Sequence, residues 1–449
     1  MSVECVLLSA AVFPLFLTGI AVANSVSAAQ ATGAQGIFFG RVTSSAGGRA
    51  LPGVTITITS QALGGRRVVV ITNTKGEYLT PELPLGTYSM RYSLPGHYTL
   101  LRETIELPGN RTANGILPPV PTLLAVIRGD RAGPVLAFVD TEAGSIFARL
   151  PLGPDPHVVD ISASNKFGVV VNTNDSSHKP NADSFSVVDL FSRKEVRRVP
   201  TGDGSQPHDL RIVGDKVYFA TEGFKSIARY DPARNRIDWT VGVGYNGPHM
   251  LAVTRDGNTI VGTNPSSKNI SIVSDVLKGP LGWKVTHVPI GGEPEGVDIS
   301  PDGGEAWVTN EAAGGASIVD LARKRVSQHV DLRTTHANRL RFMAGDRVVL
   351  VDRHTAELVV VAASTRQLIK KILMPDSAPI SARNRNRAYD VVGESNGTFA
   401  YVSVNGPAGR SYIGVVDMVK LELVRRIQTG ATADGMALME PEAGIPQPQ

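Results

Sequence analysis

The sequence predicts an all-β chain of 449 residues, a small sandwich followed by a seven-bladed radial array of strands. Three observations predict it. A short phrase, a proline then His or Glu then alternating apolar residues, recurs at Pro156-His157-Val158-Val159-Asp160-Ile161, Pro207-His208-Asp209-Leu210-Arg211-Ile212, Pro248-His249-Met250-Leu251-Ala252-Val253 and Pro294-Glu295-Gly296-Val297-Asp298-Ile299. His157, His208, His249 and Glu295 stand 51, 41 and 46 residues apart, and a period of roughly 40–50 residues with strand chemistry marks a radial β array. A second marker recurs between these phrases: an apolar strand ending in Asp ahead of a polar turn, as at Asp140, Asp189, Asp231, Asp275, Asp320 and Asp417. The composition agrees, with 42% hydrophobic residues and 46 glycines, as in a turn-rich globular chain.

The first element is an apolar run from Val6 to Ala23, followed by Ser27-Ala28-Ala29 ahead of Gln30. Length and small residues read as a signal peptide over residues 1–29, so the protein is expected to be exported, to the periplasm or beyond the cell. The n-region departs from the usual pattern in carrying Glu4 and no Lys or Arg. The only cysteine, Cys5, would leave with it, so a mature chain would have no disulfide, no thiolate metal site and no haem-attachment motif. No second apolar run is long enough to span a bilayer.

Residues 36–110 carry short strands broken by Gly and Pro. Thr55-Ile56-Thr57-Ile58-Thr59 alternates with period two, and Arg67-Val68-Val69-Val70-Ile71-Thr72 is β-branched. Asn73-Thr74-Lys75-Gly76 and Leu85-Gly86-Thr87-Tyr88 read as turns. In order, Gly40-Arg41-Val42, Leu51-Pro52-Gly53-Val54, Asn73-Thr74-Lys75-Gly76-Glu77-Tyr78, Leu85-Gly86-Thr87-Tyr88 and Pro95-Gly96-His97 resemble the carboxypeptidase regulatory-like domain. The resemblance implies a seven-stranded, prealbumin-like sandwich of the carbohydrate-binding-like group, an accessory module without catalysis. Glycan contact is therefore one expected partner class for this segment, although Tyr88, Tyr92 and Tyr98 read as packing residues. Pro118-Pro119-Val120-Pro121 marks a linker, expected over 111–122.

The array is expected over 123–440, with a tail at 441–449. Aligning its copies extends the opening phrase to Asn338, Tyr389 and Asp434, making seven positions and seven blades. After Asp434 one strand remains, and before His157 there are three, near 123–128, 134–140 and 145–152. One C-terminal and three N-terminal strands make a seventh four-stranded blade and remove the open edge. The best copy, Gly296 to Asn310 with Ser317-Ile318-Val319-Asp320, resembles the YVTN-type β-propeller repeat. That resemblance implies the fold and leaves the function open. The Pro-His phrases are similar to those of streptogramin lyases, which implies a channel histidine working with a metal.

In such an array the first strand of each blade lines the central channel, so the residue after each proline sits at its mouth. His157, His208, His249 and Glu295 form an arc of imidazole and carboxylate groups, a ligand set suited to Zn, Fe, Mn or Cu. Tyr389 and Asp434 on the far arc are candidates for proton donor and base, and His336, two residues before Asn338, for a further proton-moving group. Arg383, Arg385 and Arg387 alternate ahead of Tyr389 and, with Asn338, are candidate contacts for an anionic substrate at the rim. The net charge of +4 has no clustered basic block, which argues against nucleic acid. The sequence lacks a P-loop, a Rossmann glycine fingerprint and a nucleophile elbow. A propeller binding a small molecule or protein partner at its mouth is the expected function. The alternative is a metal-dependent lyase, lactone hydrolase or oxygenase.

Overall fold

The computed structural model describes residues 34–129, 133–173, 183–245, 247–279, 281–311, 313–379 and 387–440. The expected signal peptide, Arg383, Arg385 and the tail lie outside the described residues. The described part is built from strands, with only short 3-10 turns as helix.

The N-terminal sandwich packs two sheets. One runs Arg67–Ile71, Thr55–Thr59, Gly86–Ser93, Leu100–Leu107, all antiparallel. The other places Phe38–Ser44 between Glu77–Leu79 and Gly115–Leu117. Alternation decides which side faces in: Ile56 and Ile58 are buried with Phe38, Val42, Tyr88, Met90 and Tyr92, while the threonines between them face outward. The strand Gly115–Leu117 falls inside the stretch expected as linker. Its Gly-Ile-Leu alternation lets it pair in parallel with Val42–Ser44, so the sandwich continues to residue 117 and the proline run alone joins the two parts. The sandwich rests on the array through Gly96 N–H, which donates to Asp140 Oδ2 (3.4 Å), and Tyr98 Oη, 3.3 Å from Glu142 Oε1.

Among the described residues, 122–439 carry seven four-stranded antiparallel sheets. Their first strands are Pro156–Ile161, Pro207–Val213, Leu251–Val253, Pro294–Ile299, Ala337–Met343, Ala388–Gly393 and Ala433–Met439. Each touches the first strand of the next sheet, and Ala433–Met439 also touches Pro156–Ile161. The sheet of Ala433–Met439 takes its other three strands from the N-terminal side: Thr122–Ile127, Val135–Asp140 and Ser145–Pro151. Second and third strands carry the core, as Val135–Asp140, Phe167–Asn172 and Arg347–Asp352 are almost wholly buried. Apolar clusters fill the space between neighbouring sheets.

An Asp at the end of a third strand holds the turn that follows it. Asp320 Oδ1 accepts from Arg323 N (2.8 Å), and Asp417 Oδ1 from Val419 N and Lys420 N (both 2.9 Å). Where the acid is missing, at Ala362, Asp346 from the preceding hairpin accepts Ser364 N instead (2.9 Å). Asp275 differs: it takes a positive φ and opens a 3-10 turn without capping it.

A second set of aspartates ties the first strands together. Asp160 Oδ2 accepts Ile212 N (2.8 Å), Asp209 Oδ2 accepts Leu251 N (2.9 Å), Asp298 Oδ2 accepts Phe342 N (2.9 Å) and Asp390 Oδ2 accepts Met436 N (2.9 Å). Each bond crosses from one sheet to the next, where no backbone ladder runs. The guanidinium groups of Arg339, buried, and of Arg211 and Arg341, half-buried, lie among these carboxylates, Arg211 3.0 Å from Asp209 and the other two 3.9 Å from Asp390.

Candidate metal centre at the mouth of the ring

Three histidines meet where the first, second and third sheets begin. The prolines ahead of them are buried and fix the entry to each strand. The residue before them turns the chain inward through a positive φ, 56° at Asp155, 47° at Gln206 and 68° at Gly247. Asp183 holds the second of these turns by accepting Gly204 N (2.8 Å) and Gln206 N (2.9 Å). The imidazoles of His157 and His208 then meet edge to face at 4.4 Å between centroids, and those of His208 and His249 at 3.7 Å.

His249 lies between two carboxylates. Its Nδ1 meets Glu222 Oε1, and its Nε2 is 3.3 Å from Glu295 Oε1. Burial works against a charge on this ring, but Glu295 and Glu222 outweigh it and raise His249 to about 10. Burial likewise opposes the charge on Glu295, and His249 outweighs it, lowering that carboxyl to about 2. His208 differs from its neighbour. Burial first, then the adjacent His249 and His157, hold it well below the usual histidine range, so its nitrogens stay neutral. Its Nδ1 is buried without a hydrogen-bond partner. Ligand atoms of His208, Glu222 and His249 lie within 4.8 Å of one another, a spacing open to one metal ion.

On the other side His157 Nδ1 is 2.6 Å from Asp434 Oδ2. The same oxygen accepts from Arg128 Nη1 at 3.0 Å, and Arg128 Nη2 also pairs with Asp155. Burial opposes the charge on Asp434, but His157 and Arg128 outweigh it and lower the carboxyl to about 2. The aspartate therefore fixes the orientation of the His157 ring.

The structure brings His157, His208, His249 and Glu295 together, and Asp434, expected on the far arc, stands beside His157 instead. Asn338 and Tyr389 enter their own first strands in the same register. The grouping differs from the expected one: Glu222, from the turn after Lys216–Thr221, joins His208 and His249, while Asp434 takes His157. His336 stacks on His354, 3.3 Å between centroids. Arg387 runs its Nη1 to the His354 carbonyl (3.4 Å). Glu222, Arg128 and Asp155 are additions that the sequence reading lacks. One signal was available for Glu222: it follows its second strand as Glu311 follows Glu305–Asn310.

Residues 37–116 match the carboxypeptidase regulatory-like domain. No curated protein matches the chain. Among solved structures, a functionally unknown protein from Desulfotomaculum acetoxidans is similar at 16% identity, with 72% of this chain and 99% of that one covered and a TM-score of 0.58. Hydrazine synthase from Kuenenia stuttgartiensis is similar at 16% identity over 63% of this chain and 89% of that one, TM-score 0.50. The β-propeller domain of Cps50 (Swd1) from Myceliophteria thermophila is similar at 11% identity over 62% and 88%, TM-score 0.50. At such identities the likeness concerns fold alone, and the fold is propeller-like.

Proposed function

We propose that this is an exported protein whose seven-bladed, YVTN-type β-propeller holds a divalent transition metal at its mouth and binds a small molecule or protein partner there, with the sandwich as a second contact module. The closing of the propeller by the pairing of Thr122–Ile127 with Ala433–Met439 supports the blade count. The observation that carries the metal reading is the convergence of His208, Glu222 and His249 within 4.8 Å. Two imidazoles and one carboxylate leave a position for an outside ligand, and Zn, Fe, Mn and Cu all suit such a set. The neutral His208 has a lone pair ready to donate, whereas His249, held protonated by Glu222 and Glu295, would give up a proton on binding, with Glu295 behind it to orient the ring.

A second reading, a metal-dependent lyase, lactone hydrolase or oxygenase, is favoured by the His157–Asp434 pair. An imidazole oriented by a carboxylate beside a metal centre is placed to move a proton at an oxygen that the metal would polarise. Metal analysis of purified mature protein tests the first reading. Near-stoichiometric metal is expected in the wild type, with loss in His208→Ala and Glu222→Gln. Trace metal in the wild type, unchanged by either substitution, overturns it.

A further inference from the structure

Beside the histidines the mouth opens into a cavity of about 530 Å³ between the sixth sheet and the closing sheet. Among the described residues, its side-chain lining is Arg128, Tyr389, Asn405, Ser411, Thr432 and Asp434, with four glycines and one alanine completing the wall. Tyr389 and Asp434 are ring positions, so the cavity shares its opening with His157. Its size falls within the roughly 300–1,000 Å³ of small-molecule pockets.

The wall chemistry selects a ligand class. Tyr389 is the one aromatic ring and Ala431 carries the one aliphatic side chain, so apolar burial would contribute little. The one cationic side chain, Arg128, is already shared between Asp155 and Asp434, so an anion finds no uncompensated charge, and the Asp434 carboxylate is in turn held by Arg128 and His157. What remains is neutral hydrogen bonding. Thr432 Oγ1 donates to Asn405 Oδ1 (2.9 Å), Ser411 Oγ lies 3.2 Å from Thr432 Oγ1, and Gly406 N donates to Ser411 Oγ (3.1 Å). This chain of hydroxyl and amide groups is fixed by its own bonds before a ligand arrives. The glycines leave backbone close to the space.

We propose that the cavity takes an uncharged, hydroxyl-rich ring of monosaccharide size, its hydroxyls facing Asn405, Ser411 and Thr432 and its C–H face against Tyr389. The inference rests on the reading that the mouth binds a small molecule, and is independent of the metal. It places such a ligand alongside His157.

Saturation-transfer NMR on the full mature chain tests it, with D-glucose, D-galactose, N-acetyl-D-glucosamine and myo-inositol as probes and acetate and benzoate as anionic and apolar comparisons. At least one hydroxylated ring is expected to show transfer, and acetate none. Thr432→Val keeps the shape and removes one hydroxyl, so binding is expected to weaken about tenfold. Asn405→Leu is expected to abolish it. No transfer from any hydroxylated probe overturns the proposal, as does binding unchanged in both variants, or transfer from benzoate or acetate alone. His208→Ala separates the two readings: sugar binding retained without metal leaves this proposal standing, whereas a metal-loaded wild type silent to every sugar sinks this proposal and spares the metal centre.

Discussion

Replacing Asp390 by alanine should loosen the join between the sheets of Ala388–Gly393 and Ala433–Met439. Asp390 is 1% exposed. Its Oδ1 accepts Val391 N and its Oδ2 accepts Met436 N, both at 2.9 Å, and the guanidinium groups of Arg339 and Arg341 stand 3.9 Å away. The substitution strands two backbone N–H groups, at roughly 1–3 kcal/mol each if buried, and removes the carboxylate beside these two cations. Such losses overlap, and about 4 kcal/mol is a fair total. A unit running from Thr122 to Met439 has an unfolding entropy of about 0.7 kcal/mol/K, so its calorimetric midpoint should fall by about 6 °C. Asp390→Asn keeps one oxygen acceptor and the side-chain shape, and should fall about half as far. A change under about 1 °C in the alanine variant, or an asparagine variant as damaged as the alanine one, would refute the claim that these carboxylates join the sheets.

Two further substitutions probe other joints. A Cβ at Gly296 would sit 2.6 Å from Asn338 O and 2.8 Å from Arg339 Cα, backbone atoms of the next sheet. Gly296→Ala should therefore cost about 1–3 kcal/mol, whereas Gly242→Ala, with nothing within 4 Å, should be near neutral in the same melting assay. At the sandwich, burial pushes His97 down to about 4 with help from the nearby Arg193, against the opposing pull of a backbone hydrogen bond with Pro95 and of Asp140. The unfolded chain takes up this proton near pH 6.5 and the folded one only near 4, so stability is full above 6.5 and declines as pH falls through that window. The loss is at most about 3 kcal/mol, less for the ring's remaining contact with solvent. The difference between wild type and His97→Gln in urea midpoints across pH 4–7 measures it; a difference that stays constant with pH would count against a buried neutral His97.

Much of the fold was legible because strand chemistry is local. Period-two alternation in Thr55–Thr59 and the proline phrases at 156, 207, 248 and 294 announce their strands without help from distant residues. Asn338, Tyr389 and Asp434 emerged only by aligning repeats, since each lacks the proline. The site was less legible for two reasons. Glu222 sits in a turn, at a place held by Thr173, Pro265, Glu311, Arg353 and Asn405 in other repeats, and a position with so little restriction on residue type draws no notice in a single sequence. Arg128 follows the strand Thr122–Ile127, and its partner Asp434 is 306 residues further on, so no local pattern ties the two. The linker was misjudged for the opposite reason: a proline run is conspicuous, and it masked the short strand Gly115–Leu117 ahead of it.

The pairing of Thr122–Ile127 with Ala433–Met439 bears on how the molecule comes into being. A ribosome makes residue 127 long before residue 433, so an emerging chain carries three strands whose inner edge has nothing to pair with until Ala433–Met439 has been made. The sandwich and the middle sheets have all their strands early; the sheet of Asp434 does not, and with it wait the orientation of His157 and one wall of the cavity. A chain that stops before Ala433 would thus lose part of the site along with that pairing, leaving an open strand edge that other chains can pair with.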